Sequence, residues 1–130
     1  IMFFSRKKSK SDGIVIPHYE GLPGFRQDFP CNAKISDDML VFSNNEGNTV
    51  NLPIAQIQSV DTMVRERNFM ARYHGNAITT SKGAEKLYYV ITYTSSSGST
   101  AYLAFWDAYN SKTNKFFESI PVPQGGTITL

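Results

Sequence analysis

Cysteine is nearly absent from this chain: Cys31 is the single thiol among 130 residues. An internal disulfide is excluded. One thiol and two histidines, His18 and His74, build no metal cluster unless carboxylates join from elsewhere, so no metal or cofactor is expected. A lone thiol fits a reducing compartment, and a cytoplasmic location is the expectation. Long apolar runs are missing too. No stretch approaches the roughly 18–20 residues that cross a bilayer. IMFF at the start is too short for a signal-peptide core, and the basic run follows it instead of preceding it. With Ile1 ahead of Met2, Met2 is the expected native start. No internal repeat is present.

Excess charge is also scarce, and what there is has a lopsided distribution. The net charge is +2, from thirteen Lys/Arg against eleven Asp/Glu. Four of the cations, Arg6, Lys7, Lys8 and Lys10, fall in the first ten residues, leaving nine against eleven beyond them. The body is therefore slightly acidic, a poor match for a nucleic-acid backbone, which needs many clustered cations.

Aromatics are plentiful: nine Phe, seven Tyr and one Trp. The length suits one domain, and about two-thirds of the unfolded surface can be buried at this size without staples. The expected organisation is a flexible basic arm over 1–13, a folded domain over 14–120 and a tail over 121–130. Pro17, Pro23 and Pro30 with Gly21 and Gly24 make IVIPHYEGLPGFRQDFP an expected irregular lead-in. HYEGLPGF within it has the look of a phosphate cradle. A cradle leads into a helix N-terminus, and here an irregular stretch follows, so a shaping turn anchored by Leu22 and Phe25 is expected.

Short β runs come next: Cys31–Ser36, Met39–Ser43 and Thr49–Pro53, separated by turns at Asp37-Asp38 and Asn44–Asn48. Val60, Thr62 and Val64 alternate with Asp61, Met63 and Arg65, and the β-branched residues favour a strand there. ARYHGNAITTSKGAEK is expected to be loops around one short strand. Leu87–Thr94, Ser95–Ser99 and Thr100–Trp106 form the clearest hairpin, with apolar bulk on both faces of its first strand, which suits a central position. Asp107 is the expected cap of a helix on which Trp106, Tyr109, Thr113, Phe116, Phe117 and Ile120 form one apolar stripe, ended by Pro121.

The fold class is thus mainly β with one C-terminal α-helix. EGLPGF at Glu20–Phe25, Cys31 at the start of its strand, DDMLVF, NLPIAQI, LYYVITYTSSSG and AYLAFWD, in that order over residues 18–120, resemble small bacterial pleckstrin-homology-like domains, mostly of unassigned function. The resemblance implies a PH-like barrel of about seven antiparallel strands in two nearly orthogonal sheets, closed at one opening by the helix. Relatives often carry a glycine-rich insertion between the middle strands. RERNFMARYHGNAITTSKGAEK is shorter here and bears arginines and aromatics, so the role of that insertion does not transfer.

Functional candidates are few. Neither histidine lies in a catalytic signature, so an enzyme is not expected and no catalytic residue is assigned. Cys31 reads as a small buried hydrophobe. Asp37-Asp38 reads as a solvated turn. Phosphoinositide-binding PH domains typically place Lys/Arg around the loop between their first two strands; the loop expected there has Lys34 with Asp37 and Asp38, and the acids would repel an inositol phosphate, so binding by that route is not expected. SSSGS needs no explanation beyond a hairpin turn. RERNFMARYH interleaves Arg65, Arg67 and Arg72 with Phe69 and Tyr73. That composition suits a partner surface, and equally suits rings tucked inward under wet arginines. The expectation is a non-enzymatic module that binds a protein or peptide, or a second copy of itself, through a sheet edge or a groove beside the helix, with Arg65, Arg67, Phe69, Arg72 and Tyr73 as contact residues. The alternative is a peripheral membrane module steered by Arg6, Lys7, Lys8 and Lys10.

Overall fold

The computed structural model describes residues 13–76 and 84–122. Residues 1–12 of the basic arm, 123–130 of the tail, and 77–83 within the stretch 71–86 expected to be loops around one short strand, lie outside the described residues. Seven antiparallel strands run β1 (Ile14–Glu20), β2 (Pro30–Ser36), β3 (Met39–Ser43), β4 (Thr49–Pro53), β5 (Ile57–Arg65), β6 (Leu87–Thr94) and β7 (Thr100–Asp107). Helix α1 (Glu66–His74) follows β5, and α2 (Ser111–Glu118) follows β7. The spatial order is β4-β3-β2-β1-β7-β6-β5. No ladder joins β4 to β5 among the described residues, so the sheet is open there; a single 3-10 turn, Ile54–Gln56, links the two.

The stretch expected as an irregular lead-in contains β1 instead. Ile14–Pro17 pair with β2, and His18 and Glu20 pair with β7. Pro17 and Pro30 are register partners at the end of the β1–β2 ladder, so each missing N–H is lost where pairing is ending anyway. The sheet turns at this point. Ile14 and Ile16 point to the core, and Val15 points to water.

Every strand supplies residues to one main core, including Ile16, Leu40, Phe42, Ile91 and Phe105, so the sheet is curled around it. β6 is buried on both faces, as its sequence implies. Tyr89 and Ile91 join this core, while Tyr88 and Val90 join a second cluster with Phe69, Met70 and Ala104. The second cluster exists because α1 lies across the outer side of β6 and β7. The expected strand over Val60–Arg65 forms as part of β5, but the chain then turns helical, and Ala71–His74, expected as loop, belong to α1. Phe69 and Tyr73, four apart, share one helical face with Met70 beside them. Gly75, at φ 77°, ends the helix, and its N–H returns to the Met70 carbonyl.

The terminal helix is shorter than its stripe implied. Asn110, not Asp107, is the cap: its side-chain oxygen accepts the N–H groups of Lys112 at 3.0 Å and Thr113 at 3.4 Å. Asp107 pairs with Leu87 at the end of β7, where its carboxylate accepts the Thr113 hydroxyl at 2.9 Å. Trp106 consequently belongs to a strand, and Tyr109 is 68% exposed in the connection. The inward face is Thr113, Phe117 and Ile120. Phe117 stacks on Tyr89 at 4.7 Å between centroids and tilts against Phe105.

Candidate partner-binding surfaces

The five residues singled out from RERNFMARYH do come together at the end of β5 and on α1, but not as one free surface. Phe69 is wholly buried, stacked on Tyr88 at 4.2 Å, and is removed from any contact patch. Tyr73 is half-buried, its ring against Tyr102 at 4.4 Å. Arg65 pairs with Glu85 at 3.0 Å and Arg72 faces Asp61 at 3.7 Å, both in the open. Exposed pairs of this kind contribute little, from about zero to 1 kcal/mol. Arg67 is exposed and makes no ion pair among the described residues. Inward-tucked rings under solvated arginines describe this segment better than a ready-made docking patch.

At the far end of α1, His74 Nε2 lies 2.9 Å from Glu20 Oε2, and the Tyr102 hydroxyl donates to the same oxygen. Burial, then the bond to Glu20, raises the Tyr102 pKa. An imidazole beside a carboxylate is catalytic vocabulary. Yet the depression that Glu20 and Tyr102 line, about 410 Å³, is shallow and does not include His74. No serine, threonine or cysteine side chain bonds to either histidine among the described residues. The arrangement fastens the C-terminus of α1 to the ends of β1 and β7.

His18 is a scaffold residue. It is buried, with Nδ1 3.2 Å from the Arg26 carbonyl and Nε2 accepting the Leu22 N–H at 3.1 Å. Burial lowers its pKa, against smaller opposing effects of the Arg26 carbonyl, Glu20 and Asp28. The neutral ring with its proton on Nδ1 satisfies both contacts. It thereby shapes the β1–β2 loop, so HYEGLPGF ends a strand and builds a turn. Gly21, at φ 111°, sits against β7 so tightly that a Cβ would come within 2.5 Å of the Tyr102 carbonyl oxygen. Cys31 is buried and its pKa is pushed up to about 12 by that burial, which keeps it a thiol.

One electrostatic inference requires correction. Lys34 lies in β2 and Asp37 and Asp38 form the β2–β3 turn, because β1 precedes them. The loop between the first two strands is residues 21–29, which holds Arg26 in an exposed ion pair with Glu46 at 2.7 Å. The pair of aspartates therefore says nothing about that loop.

A further recess lies beside β4. A cleft of about 280 Å³ is walled by Val50, Asn51, Leu52 and Pro53 of β4, by Tyr93, Ser95 and Ser96 at the base of the β6–β7 hairpin, and by Gly21–Pro23 and Leu103. No α2 residue lines it. β4 ends the sheet, so alternate residues carry backbone N–H and C=O groups away from β3. Sequence reading named an edge or groove in general terms, but not these residues, because the walls come from four separate segments.

The chain matches no family model, no curated protein and no solved structure. Among the described residues no group of three or more His, Cys, Asp or Glu could hold a metal ion, and no helix is long and apolar enough to cross a membrane.

Proposed function

We propose that this chain is a non-enzymatic, pleckstrin-homology-like interaction module that receives an extended segment of a protein partner in the cleft beside β4. The observation carrying this reading is the coincidence of an apolar recess with an unpaired strand edge. The edge offers backbone hydrogen bonds, and Leu22, Val50, Leu52 and Leu103 offer a pocket for a side chain. At about 280 Å³ the cleft is at or below the low end of small-molecule sites, roughly 300–1,000 Å³. It suits one or two side chains of a peptide better than a cofactor. The PH-like reading is supported by seven antiparallel strands curled on one core and a C-terminal helix that buries Phe117 and Ile120.

The test is selection of binders from a random peptide library displayed on phage, followed by amide shift mapping on the labelled protein. Selected peptides are expected to shift Val50–Pro53, Tyr93 and Leu103, and Val50→Arg is expected to abolish binding while Arg67→Glu does not. Shifts confined to α1, or binding that survives Val50→Arg unchanged, would refute the placement.

A further inference from the structure

The phase of the β3–β4 ladder decides which groups the open edge presents. The Asn44 N–H donates to the Asn48 carbonyl at 3.1 Å, and the Ile54 N–H donates to the Asp38 carbonyl at 2.9 Å. Phe42 with Val50 and Leu40 with Leu52 fall in step between those two pairs. Bonded pairs in an antiparallel ladder recur at every second residue. Val50 and Leu52 therefore direct their N–H and C=O to β3, while Thr49, Asn51 and Pro53 turn theirs to the open side. Proline has no N–H, so Thr49 and Asn51 are the two residues of β4 that offer a donor and an acceptor together. Among the described residues no bond takes these groups up. Side chains alternate in the opposite sense: Val50 and Leu52 turn inward, and Thr49 and Asn51 face water. At the Pro53 end the Gln56 side-chain amide, which also lines the cleft, donates to the Thr94 carbonyl at 2.7 Å and ties the turn after β4 to the end of β6.

Given the peptide site proposed above, on which this rests, we infer its selection rule: the partner segment runs antiparallel to β4 and reads x-Φ-x-Φ-x, where Φ is aliphatic and the central residue is not proline. Antiparallel pairing matches every ladder of this sheet and is the more stable per residue. The first to fifth residues of the segment lie opposite Pro53, Leu52, Asn51, Val50 and Thr49. The third exchanges two hydrogen bonds with Asn51, and the fifth exchanges two with Thr49. The first only donates, to the Pro53 carbonyl. The second and fourth share the face of Leu52 and Val50 and enter the cleft beside Leu22, Tyr93 and Leu103. Two side chains divide about 280 Å³ between them, which favours aliphatic over aromatic residues. Asn51 selects through its backbone, not through its side-chain amide.

The test starts from phage-selected peptides that bind the full chain and shift Val50–Pro53. They are resynthesised with single backbone N-methyl groups. A methyl on the third or fifth residue removes a bond to β4, and a loss of about tenfold is expected. On the second or fourth residue the N–H points away from β4, and a change below about threefold is expected. Asn51→Pro deletes an N–H that β3 does not use and is expected to weaken binding about tenfold, whereas Asn51→Ala leaves it within about twofold; urea melts check that both variants fold. Sensitivity at the inward-facing residues, as parallel pairing would give, sensitivity without alternation, or an equal loss with Asn51→Ala would overturn the rule while leaving the cleft as the site. Selected peptides that shift no residue of the cleft would refute the site itself, and the rule with it.

Discussion

Replacing His18 by phenylalanine isolates what its two nitrogens do. The aromatic ring is retained between Phe25 and Phe105, each 5.9 Å away centroid to centroid. What disappears is the acceptor for the buried Leu22 N–H and the donor to the Arg26 carbonyl. An unsatisfied buried backbone group costs about 1–3 kcal/mol, and the Arg26 carbonyl is only partly buried, so a loss of about 2–4 kcal/mol is expected. For a domain of this size that lowers the melting temperature by about 8–16 °C. The pH dependence supplies a second, sharper signature. Burial holds the folded-state pKa below the unfolded value of 6.5. Above pH 6.5 the ring is neutral in both states and its contribution is complete. As pH falls from 6.5 toward the lowered folded-state pKa, the unfolded chain takes up the proton first, and stability drains at up to about 1.4 kcal/mol per pH unit. Wild type is therefore expected to lose its advantage over His18→Phe progressively below pH 6.5. Urea melts of both proteins between pH 8 and pH 5 measure this. A gap that stays constant or widens in acid would refute the neutral, doubly bonded His18, as would ring nitrogen shifts showing the proton on Nε2 at pH 8.

Three further substitutions test the framework. Phe117→Ala is expected to cost about 3–5 kcal/mol, read from chemical denaturation, because the ring fills the space between Tyr89 and Phe105; a cost below about 1 kcal/mol would mean that α2 does not close the core. Gly21→Ala combines φ 111° with a 2.5 Å approach to a backbone oxygen, and a loss above about 2 kcal/mol is expected, with shifts at Tyr102 and Leu103. Met63, at φ 52° in the irregular part of β5, is 38% exposed. Met63→Gly is therefore expected to stabilise by about 0.5–1 kcal/mol, since relief of left-handed strain exceeds the entropy cost of glycine; a destabilised variant would show that the side chain contributes more than its exposure implies.

Legibility differed by element. Strands β2, β3, β4, β6 and β7 were readable almost to the residue, because alternation and turn residues act locally: Asn44 Oδ1 accepts from both Glu46 and Asn48 at 3.0 Å, and Gly98 sits at φ 90°. β1 was hidden because Pro17 argues against a strand unless one knows that a ladder ends there. Helix α1 was hidden behind the β-branched run before it, although Glu66 at its start, Arg72 and His74 in its last turn and Gly75 as its stop were readable signals. The stripe on α2 was overextended because Trp106 has the right spacing for a helix while its backbone pairs with Tyr88.

From residue order alone follow the mainly β class, the C-terminal helix, the central place of Leu87–Thr94 and the scarcity of cysteine and histidine, since each depends on short-range periodicity or on which side chains exist at all. The packing of α1 over a second core, the burial of Phe69, the bonding of His18 and the cleft beside β4 depend on contacts that short-range periodicity does not set. For all of these except the His18 bonds, which reach only Leu22 and Arg26 within one loop, the separation in the chain is bridged by strand register and by competition for the same apolar surface, and those are properties of the folded whole.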